Sequence, residues 1–540
     1  MNKIKSILCI LLSLTVMLSL CPFAFAADVG TTYYVDSISG DDNNNGTNEN
    51  SAWKTTEKAS SVEYSAGDKI LFKAGGYFVG AFNAKGSGTQ DSQITIGSYG
   101  DVATLGKPAL TVNDENAVIE IKDVSYWTVD GLDISAPNGK GVFIICTKNT
   151  MNGITVKNCS MHDIFKQRIT GHQFYEHAPV GIASGGSGKL SDITIRDINI
   201  TNCAYGIMTY GNNPEQEWSK EYYISPEESY TQNLLFENIT MNNIYYDGML
   251  IGSANNLTVR NCAILNTALY PDFYTAPAWC RYSKNVLFEN CEIAGSTNTM
   301  DGMAVDFDLM TTDSTYQYIF SHDNVRFMAN CVTENETMNR NCTVRYCLSV
   351  NDNKTASVSQ PMSSDATAGM ENFKFYNNTI VGGGDFSFAF NKKSVVANNI
   401  FISHKKFGEI QTVRKYSSAG LHKFDGEFTN NCFVNYSIPT IAKNNAISIP
   451  GFVGGDYYDV NSYKLSASSP LIGEGIQVEE DMGEHDFYGN ALTETHNIGC
   501  FDAAGIDDGT TITHTAKVKA TLLSVFYRLY GAILSVVNRF

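Results

Sequence analysis

The chain of 540 residues predicts an all-β solenoid of stacked parallel strands, about ten or more coils long. Three observations predict it: a short unit that recurs, irregular spacing between its copies, and the absence of helix-period segments among them. The unit reads Val156-Lys157-Asn158-Cys159, Ile195-Arg196-Asp197-Ile198, Phe236-Glu237-Asn238-Ile239, Val259-Arg260-Asn261-Cys262 and Phe288-Glu289-Asn290-Cys291. It continues at Gln317-Tyr318-Ile319, Arg345-Tyr346-Cys347, Tyr376-Asn377-Asn378, Ala397-Asn398-Asn399 and Thr429-Asn430-Asn431. With the third position as marker, the steps run from 21 residues (Asn377 to Asn398) to 41 (Asp197 to Asn238). A short minimum step with variable excess fits coils whose turns accept insertions. Each unit carries short alternating runs of Val, Ile, Phe and Thr between Asn, Asp and Gly, which is a strand pattern.

Residues 1–26 are expected to be a cleaved export signal. Lys3 and Lys5 precede an apolar run from Ile7 to Leu20, and Ala24-Phe25-Ala26 supplies small residues before Ala27. The run is too short for a membrane span, and such a leader directs the protein out of the cell, with cell-surface attachment as an option. Residues 27–502 follow as one elongated domain, 503–516 as a linker, and 517–540 as an apolar, amphipathic C-terminal helix. Arg528 inside that last segment makes spanning unfavourable, so it either contacts a membrane surface or caps the solenoid.

Formal charge is −18, from 38 basic and 56 acidic side chains, and the acidic residues are spread along the chain. No basic stripe exists to neutralise phosphates, which argues against a nucleic-acid partner. A polyanionic glycan would also be repelled unless a cation or a local basic cluster intervened. Of 13 Cys, Cys9 and Cys21 leave with the leader, so the mature number is odd and complete intrachain pairing is excluded. Cys159, Cys262, Cys291 and Cys347 follow the marker directly. In a stack with about 4.8 Å between coils they become one column of small buried fillers, beside a ladder of marker amides.

The loop from Asp36 to Gly46 offers hard oxygen ligands, yet it lacks the order and closing Glu of a calcium loop, and a plain turn is expected. Tyr33-Tyr34-Val35-Asp36, Gly40-Asp41-Asp42, Ala52-Trp53-Lys54-Thr55, Gly67-Asp68-Lys69-Ile70-Leu71-Phe72 and Ile94-Thr95-Ile96-Gly97-Ser98-Tyr99-Gly100 open the domain. With Tyr318-Ile319-Phe320-Ser321-His322-Asp323-Asn324, Ser469-Pro470-Leu471-Ile472 and Ile498-Gly499-Cys500-Phe501, they resemble the secreted right-handed parallel β-helix proteins of the pectate-lyase-like superfamily, over residues 31–502. The resemblance implies a right-handed parallel β-helix with loop insertions. Its members include glycoside hydrolases, uronate lyases, epimerases and binding proteins, so it leaves the reaction open.

Gly302-Met303-Ala304-Val305-Asp306-Phe307-Asp308 is the segment with paired carboxylates. Period-two alternation turns Met303, Val305 and Phe307 inward and Ala304, Asp306 and Asp308 outward, onto one exposed face. The two Asp would stand about 6.6 Å apart along the strand. Inverting glycosidases hold acid and base roughly 6.5 to 9.5 Å apart, and like charges this close raise one pKa, as a general acid requires. His322 and Asp323 are further catalytic candidates on the same rim. Asp301, Asp247, Arg326 and Asn330 stand there as candidate substrate contacts. Tyr210 is a further candidate substrate contact, and of the insertions at 162–179, 211–232 and 269–283 the last two bring Trp218, Tyr222, Tyr223, Tyr270, Phe273, Tyr274, Trp279 and Tyr282 as flat faces for sugars or as flank packing. The first insertion adds Lys166, Arg168, His172, Glu176 and His177.

Three functions follow. The leading one is a monomeric glycoside hydrolase acting on a polysaccharide or oligosaccharide, with Asp306 and Asp308 as acid and base and no cofactor. The second is a uronate lyase, with calcium held by Asp306, Asp308 and Asp323 and with Lys166, Arg168 or Arg326 as base. The third is a glycan-binding surface protein without catalysis.

Overall fold

The alternating runs form short parallel strands, each paired with its equivalent one coil away. In a computed structural model, residues 30–507 are described except 166–176, 186, 212–230, 272–273, 331–338, 354–369, 390, 405–407, 417–419, 447–448 and 493. The leader and the C-terminal helix expected at 517–540 lie outside the described residues, as do Lys166, Arg168, His172, Glu176, Trp218, Tyr222, Tyr223 and Phe273.

Three long parallel sheets enclose the core. The first has 14 strands among the described residues, from Thr32–Val35 to Gly426–Thr429. The second has 13, from Tyr77–Val79 to Cys432–Val434, and the third has nine, from Phe82–Asn83 to Arg326–Asn330. In nine successive coils the chain visits the sheets in the order first, second, third, as in Lys284–Glu289, Glu292–Ala294 and Met303–Phe307, and beyond Arg326–Asn330 the described strands continue only the first and second of these sheets. This is a right-handed parallel β-helix. The only α-helices among the described residues are Thr56–Ser60 and Val102–Leu105, both near the N-terminal end.

The marker of the repeat has a backbone cause. All ten marker residues, Asn158 to Asn430, hold a left-handed φ between 50° and 56°, at the corner from the first sheet to the second. A side chain is strained there, and Asn and Asp tolerate it best because their short polar groups bond locally. Amide bonds join some rungs: Asn238 Nδ2 donates to Asp197 Oδ1 at 3.0 Å and Asn398 Nδ2 to Asn377 Oδ1 at 2.9 Å. Tyr318 and Tyr346 depart from Asn, and both are buried with Tyr376 and Met482 beneath the C-terminal segment.

One position further on, the column points into the core. Cys159, Cys262, Cys291 and Cys347 are buried and unpaired by disulfides, as are the other six described cysteines. Burial pushes the Cys159 thiol up to about 11 and the Cys347 thiol up to about 12. In the last coils Asn takes over the column. Asn378 Nδ2 donates to Asn399 Oδ1 (3.0 Å) and Asn399 Nδ2 to Asn431 Oδ1 (2.9 Å), so the buried amides satisfy one another.

After Cys432–Val434 the chain returns along the outside. Tyr463, Leu465, Leu471, Ile498 and Phe501 cover Leu348, Val350, Val381, Ile400 and Ile402 on the outer face of the second sheet. Polar bonds pin this strap: Arg345 Nη1 donates to the Asp481 carbonyl (2.8 Å), Tyr376 Oη to Glu479 Oε1 (2.6 Å) and Tyr346 Oη to Asp502 Oδ2 (3.2 Å). The loop at Asp36 is a turn, its carboxylate accepting from Ile38 N, Ser39 N and Lys73 Nζ.

Candidate active site

The outer face of the third sheet carries an apolar floor. Met208, Leu250, Trp279 and Asp306 are neighbours in register on successive strands, followed by Ala329. Trp279 joins two patches, touching Tyr210, Leu250 and Tyr246 on one side and Ala276, Met303 and Ala329 on the other. The Arg281 guanidinium lies 5.5 Å from the Trp279 ring centre and 6.0 Å from that of Tyr210. Tyr210 is buried within this wall.

Carboxylates gather where the second sheet turns into the third. Asp247 is fully buried; its Oδ1 accepts from Trp279 Nε1 at 2.8 Å and from Ala276 N at 2.9 Å, which fixes the indole. Burial pushes the Asp247 carboxyl up to about 7 against these bonds. Asp301 is partly exposed, and burial followed by the charge of Asp308 pushes it up to about 7 as well, with Arg326 opposing. A carboxyl that stays protonated near neutrality next to an ionisable partner is what a general acid needs.

The loop that presents Asp301 is held from three sides. Asn298 Oδ1 accepts from Met300 N (2.8 Å) and Asp301 N (3.2 Å), while its amide donates to Thr275 Oγ1 (2.7 Å). Ser296 Oγ donates to the Gly302 carbonyl at 2.6 Å and accepts from Val325 N at 3.0 Å. Arg326 donates to the carbonyls of Met300 (3.1 Å) and Asp301. Asn298 and Ser296 escaped the sequence reading; the Asn298-x-x-Asp301 spacing, an Asx-turn pattern, was the available signal.

Several sequence expectations need correction. Asp306 is buried at 6% exposure, because Trp279 and Ala329 flank it in register and Arg326 covers the next coil. Asp308 lies just past the strand end, partly exposed, with Oδ1 accepting from Leu309 N. The pair therefore does not share one exposed face. Met303 packs outside with Trp279 and Ala304 joins the main core, because Gly302, at φ 63°, turns the chain into the strand and regular alternation starts at Val305. Trp279 belongs to the strand Ala278–Arg281 rather than to a loop insertion. Tyr270 packs edge-on against Tyr246, whereas Tyr274 is exposed.

His322 and Asp323 do not join this rim. His322 ends a strand of the second sheet and is buried, its Nδ1 3.0 Å from Asp323 Oδ2 and its Nε2 3.0 Å from Glu292 Oε1. Burial works against its charge, but the bonds to Asp323 and Glu292 outweigh it and raise the imidazole above its ordinary value. Asp323 Oδ1 accepts instead from Asn351 and Tyr458. Asp306, Asp308 and Asp323 thus form no common ligand set, and among the described residues no group of three or more His, Cys, Asp or Glu is placed to hold a metal ion. Arg326 is buried and spent on the loop carbonyls, with burial lowering its pKa. Asn330 closes the last strand of the third sheet, paired with Phe307.

The stacked coils place the chain in the class of right-handed parallel β-helix proteins, and its likeness is to carbohydrate-active members of that class. No family profile matches it. A lacto-N-biosidase of Bifidobacterium longum subsp. longum is 24% identical over 88% of this chain and 36% of its own length, so the chain spans about a third of that relative. The native GH136 lacto-N-biosidase structure from Eubacterium ramulus superposes with a TM-score of 0.52 at 19% identity, over 77% of this chain and 68% of that one. XylC in complex with xylose superposes at 0.50 and 11% identity, over 88% and 99%. These structures share the fold.

Proposed function

We propose that the protein is a secreted glycoside hydrolase in which Asp301 is the general acid and Asp308 the partnering carboxylate. The observation that carries this reading is the partly exposed Asp301 carboxyl, which burial and then the charge of Asp308 push up to about 7, in the loop leading to Met303, a member of the patch against which Trp279 packs. The similarity to lacto-N-biosidases supports it, and makes lacto-N-biosides of oligosaccharides the first substrates to try. Trp279, fixed by Asp247, offers a sugar ring an apolar platform, and Arg281 offers donors at its border. Asp306 serves as a buried counter-charge to Arg326 rather than as a reacting group. Export through the N-terminal leader fits an enzyme that meets its glycan outside the cell.

Two carboxyls divide the work in such a site. The protonated one gives its proton to the leaving oxygen, while the ionised one stabilises or attacks the anomeric carbon, or activates water. The inverting outcome expected for Asp306 and Asp308 rested on a strand repeat; Asp301 lies before the strand and Asp308 beyond it. The anomer first released, read by proton NMR, assigns the stereochemistry. The protein should be incubated with lacto-N-biosides and with neutral and acidic polysaccharides, with calcium and with chelator, following reducing ends and unsaturated-uronate absorbance together. Hydrolysis predicts new reducing ends without that absorbance, and a loss of roughly 10²–10⁴ in rate for Asp301→Asn or Asp308→Asn. Calcium-dependent absorbance would overturn the proposal in favour of a lyase.

A further inference from the structure

A pocket lies further along the solenoid, past the second-sheet strands that follow the Asp301 loop. It has a volume of about 400 Å³ and is lined by Asn351, His404, Tyr457 and Tyr458. Asn351 follows the second-sheet strand Leu348–Val350, and His404 follows Ile400–Ser403. The Asp301 loop follows Glu292–Ala294, so Asn351 lies two coils further along the stack and His404 four. At about 4.8 Å per coil these offsets are roughly 10 and 19 Å along the solenoid axis. Tyr457 and Tyr458 come from the strap, far away in sequence.

The pocket is built rather than incidental. Tyr458 Oη donates to Asp323 Oδ1 at 3.0 Å and accepts from Asn351 Nδ2 at 3.2 Å; Asn351 also donates to Asp323 Oδ1 at 2.6 Å. Asp323 in turn is braced by buried His322, and His322 by buried Glu292. A connected polar chain, buried at His322 and Glu292 and partly exposed at Asp323, Asn351 and Tyr458, thus fixes one phenol ring before any ligand arrives, which lowers the ordering cost of binding. The Tyr457 ring stands at 86° to that of Tyr458, 5.2 Å between centres, and the His404 ring lies 5.8 Å from Tyr457. Tyr457 is partly exposed and His404 exposed.

We infer that this pocket is a distal subsite for a neutral sugar ring of an extended glycan whose scissile bond lies at Asp301 and Asp308. Flat aromatic faces joined to an amide, an imidazole and phenol hydroxyls match a pyranose, which has apolar faces and a polar rim. Among the described residues no cationic side chain lines the pocket apart from His404, and Asp323 stands behind it in a chain of net charge −18, which favours a neutral sugar over an acidic one. The position of the scissile bond rests on the hydrolase reading; sugar binding in the pocket does not.

The test compares the full wild-type chain with Tyr457→Ala, Tyr457→Phe and His404→Ala, on neutral lacto-N-biosidic, xylan and β-glucan oligosaccharides, each as a disaccharide and as longer homologues. Binding is followed by calorimetry and NMR, cleavage by released sugar, and folding by thermal unfolding. Tyr457→Ala is expected to weaken binding of a longer glycan about tenfold or more and to raise its KM, a larger change than for the disaccharide, with a cooperative unfolding transition retained. Tyr457→Phe, which keeps the ring, is expected to stay near wild type. Equal binding of long glycans by wild type and both alanine variants would overturn the subsite, even with hydrolysis intact. Loss of long-glycan binding in Tyr457→Ala, in a protein that cuts no glycan, would uphold the subsite and remove the hydrolase reading.

Discussion

Asp247 and Asp301 show how one physical cause serves two tasks. Burial raises both carboxyls to about 7, but Asp247 is fully buried and bonded to Trp279, while Asp301 is partly exposed and feels the charge of Asp308. A carboxyl whose folded pKa is raised stabilises the fold in its protonated form. That contribution is present below the ordinary value of 3.8 and is lost as pH rises through about 7. Asp247→Asn is therefore expected to flatten the fall in unfolding temperature between about pH 5 and about pH 8, as measured by calorimetry at both values. For Asp301 the same sign appears in catalysis: kcat/KM should drop as pH rises through about 7, because the proton donor is lost. A pH–rate profile that stays level from about pH 6 to about pH 8 would sink the assignment.

At the scale of the element, the Asp301 loop and the corner ladders are held by side-chain amides. Asn298 serves three partners at once, two of them backbone N–H groups of the loop it supports. Asn298→Ala leaves these groups unpaired in a buried site, with an expected cost of about 1–3 kcal/mol by denaturant unfolding and a larger fall in kcat than in substrate affinity. Asn399 links its neighbours in the internal amide ladder, so Asn399→Leu takes one side-chain bond from each of Asn378 and Asn431 and removes the side-chain acceptor of Asn378 N. Destabilisation of about 2–4 kcal/mol is expected, exceeding that of Cys291→Ala in the same column, where only a small thiol is lost. The contrast follows from what fills the column: sulfur packs without needing a donor, whereas an amide needs both ends answered.

For the whole molecule, the strap decides which faces meet solvent. It buries the outer side of the second sheet in its later coils and removes His322 from the surface. A chain ending at residue 449 should expose Leu348, Val350, Val381 and Ile400, binding a hydrophobic dye and aggregating, while the earlier coils keep their strand spectrum. Retention of wild-type dye binding would show that the strap contributes no cover.

Much of this architecture was legible in the residues. The ten markers located a backbone corner, since a left-handed φ is costly for most side chains and cheap for Asn and Asp. The column behind them was legible as buried filler because it follows the marker directly in every coil. The candidate site was legible only as a neighbourhood. Asp301, Asp306 and Asp308 were visible as a cluster, but that Asp306 is buried while Asp301 and Asp308 stay partly exposed was not. His322 and Asp323 carry the residue types of catalysis, but His322 is buried and Asp323 is engaged by Tyr458, 135 residues after it.

By itself the sequence determined the periodic quantities: the stacked parallel coils, their corners, the cysteine column and the segment where carboxylates gather. Period-two patterning and turn chemistry act between residues close in the chain, so they are written locally. Tertiary structure alone decided which carboxyl keeps its proton, which face the strap covers, and that Tyr457 and Tyr458 meet Asn351 and His404. Burial and the fields of distant charges depend on segments brought together only after the solenoid has closed on itself, and no local pattern encodes them.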